Sequence, residues 1–425
     1  MPFAYRSSAR RARQLTTLIV LIAIALLSSR QADAYPLGGA SSATVSNPVS
    51  SVALSRSHRR TAIAATAADR RAGSRRSNMS RTWHGSVRRS HSERSRRRRR
   101  SGPGTTTTEE LETTDAAAPF RFFASTSFWN EPVPADAPRD QSSAGVVGAL
   151  DGLVGEEEQA DSGPWINTTK YSVPVYTVPS DQPTVAVQLV DHDPNAVMSA
   201  AWSAVPLPAE AQAAGGTDGD LAVWQPSSDR LWEFWRLGHE GGGWHATWGG
   251  AMQNVSSDTG VFGPEAWPGA ETWWGVSASS LSLVGGLISL EDLEKGQINH
   301  AVSMSIPDVR AGVYASPAQR SDGKSPDPLS LPEGAHLRLD PNLDLAALHL
   351  PRVTLLIAEA AQRYGIFITD GAGVVTFQAQ DPEPTGTEPY KGTNGYFEGQ
   401  MPRELLASFP WSHLELLKME LHAVK

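Results

Sequence analysis

Residues 221–249 read LAVWQPSSDRLWEFWRLGHEGGGWHATWG, and this stretch predicts three consecutive β-strands, LAVWQ, RLWEFWRL and WHATW. The turn PSSD joins the first two strands and the loop GHEGGG joins the last two, and both are rich in turn-forming residues. Closing the turn places Ala222 opposite Glu233. Closing the loop at Leu237 and Trp244 places Trp248 opposite Glu233 as well. Nine of the 13 tryptophans lie between Trp202 and Trp274, so this register decides which face collects the rings.

Side chains alternate across a strand, so this register predicts one face of acids and rings and an opposite face with basic residues. The first face comprises Asp220, Trp224, Glu233, Trp235, Trp244 and Trp248, and the second includes Arg236 and His245. Asp220 is a diagonal neighbour of Glu233, with Cβ atoms about 7 Å apart. Carboxyl pairs about 5 to 9.5 Å apart cleave glycosidic bonds, and flat rings stack on sugars.

The sequence therefore predicts Glu233 as the acid/base and Asp220 as its partner. The predicted substrate-binding residues are Trp224, Trp235, Trp244, Trp248, Arg236 and His245. The competing interpretation is that the tryptophans fill the inner face of a sandwich and that Glu233 pairs with a buried arginine.

Residues 1–34 predict a secretory signal peptide. Four arginines precede the apolar run of residues 15–27, and Ala32-Asp33-Ala34 forms a small-residue cleavage site. We expect cleavage after Ala34, a secreted, extracellular protein and no transmembrane segment after cleavage. The chain has no cysteine, so an exported domain depends on core burial rather than on disulfides.

Residues 35–118 predict a disordered linker rich in Ser, Arg and Thr. Residues 1–101 hold 21 arginines and three acids, a net charge of +18, so the whole-chain charge of −8 leaves −26 for the remainder. The linker is either a solvated spacer or an arm that contacts an anionic polymer. No sequence-specific nucleic-acid module accompanies it.

Residues 119–425 predict a single globular, mainly β domain. Short alternating segments between turn residues indicate an antiparallel β-sandwich or jelly-roll-like fold. They are SVPVYTV, TVAVQLV, LAVWQ, LWEFWRL, HAVSMSI, RAGVYA, HLRLD, GIFITD and VVTFQAQ. A few peripheral helices are expected near the C-terminus, over residues 353–364 and 402–424, with a short one in residues 287–295.

Two further patterns bear on chemistry. His300 alternates with apolar residues in QINHAVSMSIP, so it is either a core histidine or a catalyst. The segment DHDPNA at residues 191–196 begins like a calcium loop, but Ala196 and Trp202 stand where that loop needs Gly and Glu. Asp218 and Asp220 offer a second cation position or a tight turn. The sequence thus predicts no cofactor and no metal site, and leaves only a structural calcium open.

The segments FWNEPVP, GGTDGDLAVWQPSSDRLWEFW, GQINHAVSMSIP, SPAQRSDG and AEAAQRYGIFITDGAG together resemble a family of secreted bacterial proteins of no established activity. The resemblance covers most of residues 120–415 and implies a mainly β extracellular domain. In that family an acid at the position of Glu233, the His of the His300 motif and the Asp-Gly that begins at Asp370 recur. The family often has His at the position of Asp220, which makes Asp370 the next candidate for the second carboxylate.

Together these patterns favour a secreted carbohydrate-active enzyme that hydrolyses a glycan in a Trp-lined cleft. One alternative is a polysaccharide lyase that uses His300 with Tyr314 or Tyr364. The other is a non-catalytic module that binds a polysaccharide or cell-envelope polymer. The sequence contains no nucleophile elbow, zinc-protease motif, phosphate-binding loop or thiol.

Overall fold

A computed structural model describes residues 121–424. The predicted signal peptide and linker lie outside these residues. Strands outnumber helices, so the prediction of a mainly β domain is confirmed at that level. No described helix is both long and apolar enough to cross a membrane.

The described residues form five α-helices and sixteen strands. The helices are α1 (Ser143–Gln159), α2 (Ala196–Ala201), α3 (Leu290–Lys295), α4 (Arg352–Arg363) and α5 (Pro402–Leu406). The first eight strands are β1 (Trp165–Asn167), β2 (Val173–Thr177), β3 (Val187–Leu189), β4 (Leu221–Gln225), β5 (Arg230–Trp235), β6 (Gly238–Glu240), β7 (Gly243–Ala246) and β8 (Trp248–Gln253). The last eight are β9 (Val302–Ile306), β10 (Val313–Ala315), β11 (His336–Leu339), β12 (Ile366–Gly371), β13 (Thr376–Gln378), β14 (Gln380–Asp381), β15 (Leu414–Leu416) and β16 (Leu421–Ala423).

The sheets are mixed rather than antiparallel. A six-stranded sheet has the order β1-β13-β9-β12-β11-β15, and a five-stranded sheet has the order β14-β2-β4-β5-β8. Parallel neighbours such as β9 and β12 or β2 and β4 are far apart in the chain, which local alternation does not reveal. A three-stranded sheet (β3-β7-β6) and the pair β10-β16 complete the pairing. The described strands close no barrel, and the sandwich or jelly-roll arrangement stays a prediction.

The predicted pairing of the first hairpin is confirmed, because Ala222 lies opposite Glu233. The predicted pairing of the next strand is wrong by two residues: Trp248 lies opposite Trp235, and Gly250 lies opposite Glu233. The glycine loop causes the shift, since it forms its own small hairpin, β6-β7, in another sheet. A shift of two residues keeps the parity of the strand, so Trp224, Glu233, Trp235 and Trp248 still share one face.

That face is closed. The absence of a side chain at Gly250 lets another segment cover it, because a Cβ there would lie 2.4 Å from Cε1 of Phe262. Phe262 therefore packs directly over the strand, and the segment Ser282–Val284 covers Glu233. Trp224 and Trp248 are buried within an apolar cluster built on the five-stranded sheet.

A second apolar cluster is built on the six-stranded sheet and helices α1 and α4. Helix α4 confirms the helix expected over residues 353–364, and α3 confirms the short one before Lys295. The long helix expected over residues 402–424 is wrong, because α5 ends at Leu406 and strands β15 and β16 follow. The longest helix, α1, was not expected, since glycine recurs in it and residues 156–158 are acidic.

Candidate functional site

A cavity of about 510 Å³ lies beside the carboxyl end of β12. Residues of the six-stranded sheet line one part of it, and the segments around Asp220 and Ser282 line another. Most of the residues that line it have polar side chains. The wall contains three acids (Asp218, Asp220, Asp370), six hydroxyl residues (Ser277, Ser282, Ser303, Ser305, Thr369, Thr376), Asn167, Gln378 and Tyr171. Two of the predicted catalytic residues, Asp220 and Asp370, thus face the same space.

Asp220 immediately precedes β4 and is 7 % exposed. Its Oδ1 has no hydrogen-bond partner among residues 121–424. Burial, followed by the charges of Asp218, Asp370 and Glu233, raises the pKa of Asp220 well above its ordinary value. A carboxyl in this environment favours its neutral, proton-donating form.

Asp370 lies near the end of β12, where the pairing with β9 is irregular between Ile368 and Asp370. Its Oδ2 accepts a hydrogen bond from the backbone N–H of Ala278 at 3.0 Å, and its Oδ1 accepts one from Gly371 at 2.7 Å. Burial raises the pKa of Asp370 to about 7, although these hydrogen bonds oppose the rise. Its backbone donors favour the charged form more than the surroundings of Asp220 do.

Glu233 lies behind the cavity wall rather than on it. Its side chain is fully buried, and Oε1 accepts hydrogen bonds from the Ser282 hydroxyl at 2.6 Å and the Val284 N–H at 3.3 Å. Oε2 accepts a third from the Leu283 N–H at 3.1 Å. Burial raises the pKa of Glu233 to about 7 against these three bonds. Because Ser282 and Leu283 line the cavity, Glu233 touches the site through them.

His300 is not among the cavity-lining residues. Its Nε2 lies 3.2 Å from Oδ2 of Asp292, and its Nδ1 lies 2.8 Å from the Ala301 carbonyl oxygen. Burial alone would lower the pKa of His300, but the hydrogen bond and charge of Asp292 raise it. Tyr314, in β10, and the buried Tyr364 are also absent from the wall, so the residues predicted for a lyase do not meet there.

The predicted substrate-binding residues lie elsewhere. Trp224, Trp244 and Trp248 are buried, and Trp244 belongs to the three-stranded sheet. Trp235 is half-buried beneath the exposed Arg236, whose guanidinium carbon lies 4.3 Å from the ring centroid. His245 is half-buried in β7. The six residues Trp224, Trp235, Trp244, Trp248, Arg236 and His245 do not line the cavity, so their binding role stays a prediction that this geometry does not favour.

The segment DHDPNA, the first one considered for calcium, contains the N-terminal cap of helix α2. The side chain of Asn195 accepts a hydrogen bond from the Met198 N–H at 2.9 Å and caps α2. The second segment, with Asp218 and Asp220, forms part of the cavity wall instead.

Sequence reasoning missed two acids beside Asp370. Ligand oxygens of Asp322, Glu333 and Asp370 lie within 4.8 Å of one another. Asp322 is exposed and Glu333 is fully buried. Burial raises the pKa of Glu333 to about 8, with a smaller opposing effect of the Ser321 hydroxyl. No local spacing joins these residues, because long-range pairing alone brings them together.

Comparisons of the chain with protein-family models, with curated proteins and with solved structures found no match.

Proposed function

We propose that this protein is a secreted glycan hydrolase whose reaction takes place in the cavity that Asp220 and Asp370 share. The observation that carries the proposal is that the carboxyl groups of Asp220 and Asp370 line the same cavity in different environments. Oδ1 of the buried Asp220 has no hydrogen-bond partner among the described residues. The half-buried Asp370 accepts a hydrogen bond from a backbone N–H. Paired carboxyls in unlike environments are the arrangement that glycoside hydrolysis uses.

The two carboxyls have different roles. Asp220 donates its proton to the glycosidic oxygen, because its surroundings favour the neutral form. Asp370 acts as the base or nucleophile on the sugar, because two backbone N–H groups stabilise its charge. Glu233 is a positioning residue, since its hydrogen bonds fix the Ser282–Val284 segment.

The lining suits a polyhydroxylated substrate. Six hydroxyl side chains and the amides of Asn167 and Gln378 offer both donors and acceptors. Tyr171 also lines the cavity and is 42 % exposed, so its ring is available to stack on a sugar face.

The test uses the full chain on a broad polysaccharide panel, with reducing ends and ultraviolet absorbance both recorded. We expect new reducing ends without the absorbance of the unsaturated products that a lyase releases. Asp220→Asn and Asp370→Asn should each lower the rate by roughly 10²- to 10⁴-fold. The matched control is Asp181→Asn, an exposed acid, which should keep the wild-type rate. Wild-type turnover in both cavity variants would overturn the proposal.

A glycan-binding surface is the second candidate, and one aromatic stack favours it. The ring of Trp248 stacks with the rings of His192 and Trp273, at centroid distances of 4.2 and 5.2 Å. Trp273 is 38 % exposed. Its two neighbours in the same loop are less accessible, since Trp267 is half-buried and Trp274 fully buried. Trp273 is therefore the exposed ring among these three tryptophans.

Trp273→Ala distinguishes this surface from the cavity. We expect weaker retention on insoluble polysaccharide with little change in the rate on soluble substrate, measured by pull-down and by reducing-end release. Unchanged retention would remove the stack as a binding surface.

A further inference from the structure

Two acids beside Asp370, Asp322 and Glu333, have no role in the proposed hydrolysis. Glu333 lies between β10 and β12 in a tightly fixed backbone. Its carbonyl oxygen accepts a hydrogen bond from the Ala315 N–H at 2.8 Å, and the next residue, Gly334, donates to the Ile368 carbonyl at 2.7 Å. These two strands therefore hold the Glu333 carboxyl next to Asp370.

The charge of the buried Glu333 side chain is poorly compensated, because the effect of the Ser321 hydroxyl is smaller than that of burial. Glu333 is 0 % exposed, and neither carboxylate oxygen has a hydrogen-bond partner of normal geometry among residues 121–424. A buried carboxylate without partners is unfavourable unless a charge or a proton offsets it. Because its oxygens lie within 4.8 Å of those of Asp322 and Asp370, the unpartnered group points to a ligand shared by all three.

We propose that Asp322, Glu333 and Asp370 bind one divalent cation, Ca²⁺, at the edge of the cavity. All three offer hard oxygen ligands, the type that Ca²⁺ prefers. Ca²⁺ accepts oxygen ligands in flexible geometry, whereas Mg²⁺ demands a near-ideal octahedron, so carboxylates that come from three separate segments suit Ca²⁺ better. Three carboxylates give more charge than the ion neutralises, and solvent fills its remaining coordination positions.

The surroundings are built to hold such an ion. Asp322 is exposed and provides the route from solvent. Its segment is anchored, because Gln319 donates its N–H to the Ser279 carbonyl at 3.0 Å and the Arg320 guanidinium donates to the Ser277 carbonyl at 2.8 Å. Within residues 121–424, each Asp370 oxygen accepts one backbone hydrogen bond, so lone pairs remain for the cation and for the cavity.

Isothermal titration of the chelator-treated full chain with CaCl₂, MgCl₂ and MnCl₂ tests the site, with thermal unfolding as a second readout. We expect one Ca²⁺ per chain and a higher midpoint of unfolding in Ca²⁺. Asp322→Asn and Glu333→Gln should each weaken Ca²⁺ binding more than about tenfold. The control Asp308→Asn removes an exposed acid outside the cluster and should bind like the wild type.

Three results would overturn the site: no binding up to about 10 mM CaCl₂, tighter binding of Mg²⁺ or Mn²⁺ than of Ca²⁺, or equal Ca²⁺ binding by all variants. If Glu333→Gln fails to fold, the Ca²⁺ affinity of Asp322→Asn still tests the site, because Asp322 is at the surface and its substitution should not prevent folding. Binding is measured without substrate, so this outcome is independent of whether the protein hydrolyses glycans.

Discussion

At the scale of single residues, Glu233 shows how burial converts a candidate catalyst into a structural group. The sequence places it correctly on a face with Trp224, Trp235 and Trp248. What covers that face comes from residues 262–284, about 30 to 50 positions along the chain, and no local pattern reveals that contact. The carboxyl is consequently held by Ser282, Leu283 and Val284 rather than by substrate.

The burial of Glu233 predicts a pH dependence of stability. Its pKa is about 7 in the folded protein and 4.5 in the unfolded reference. A raised folded pKa gives stability that is fully present below pH 4.5 and is lost as pH rises to about 7. The shift corresponds to about 3 kcal/mol.

We expect Glu233→Gln to flatten this part of the curve of unfolding free energy against pH, measured with urea between pH 4.5 and 8. Glu210→Gln is the control, because Glu210 is exposed, and it should retain the wild-type slope. The same slope in Glu233→Gln and wild type would contradict the assignment.

At the scale of elements, His300 contacts the N-terminal cap of helix α3. Ser289 and Asp292 form a capping box there, and Oδ2 of Asp292 also contacts His300 at 3.2 Å. The raised pKa favours the charged form of His300 beside this cap, and the alternation of QINHAVSMSIP alone does not distinguish such a structural role from catalysis.

His300→Gln should destabilise the protein by roughly 1 to 3 kcal/mol at pH 5.5. The folded pKa of His300 is raised above 6.5, so its stabilisation is complete below pH 6.5 and is lost as pH rises through the folded value. The loss on mutation should therefore be smaller at pH 8.5, measured by urea unfolding at both pH values. The exposed His239 gives the control His239→Gln, and an equal loss at both pH values would contradict the cap charge.

Elements were predictable where the signal is local. All nine alternating segments contain strands, and the β4-β5 register follows from a short turn. Sheet order was not predictable, because the parallel pairs β2-β4 and β9-β12 join distant segments. The same limit applies to the site: Asp220 and Asp370 were identified singly, whereas Asp322 and Glu333 join Asp370 only through long-range pairing.

At the scale of the whole described domain, the two apolar clusters meet where Gly286 crosses β9. The Gly286 carbonyl accepts hydrogen bonds from the Ser303 N–H at 2.9 Å and hydroxyl at 3.1 Å. Trp129, of the first cluster, packs against the same glycine. Ser303 also lines the cavity, so this junction adjoins the site and we expect the site to require both clusters to be folded.

Gly286→Ala tests that coupling. The added Cβ would lie 2.5 Å from the Ser303 nitrogen and 2.6 Å from the Trp129 ring, so we expect a loss of about 3 kcal/mol from overpacking. Tryptophan fluorescence reports mainly the first cluster, and the 222 nm dichroism of α1 and α4 reports the second. Both transitions should shift together, because one cooperative unit gives coincident midpoints.

The control is Gly152→Ala, at an open position of α1, which should leave both midpoints unchanged or slightly higher. A shift in fluorescence alone would mean that the clusters unfold independently and that the cavity can be lost while the six-stranded sheet stays folded.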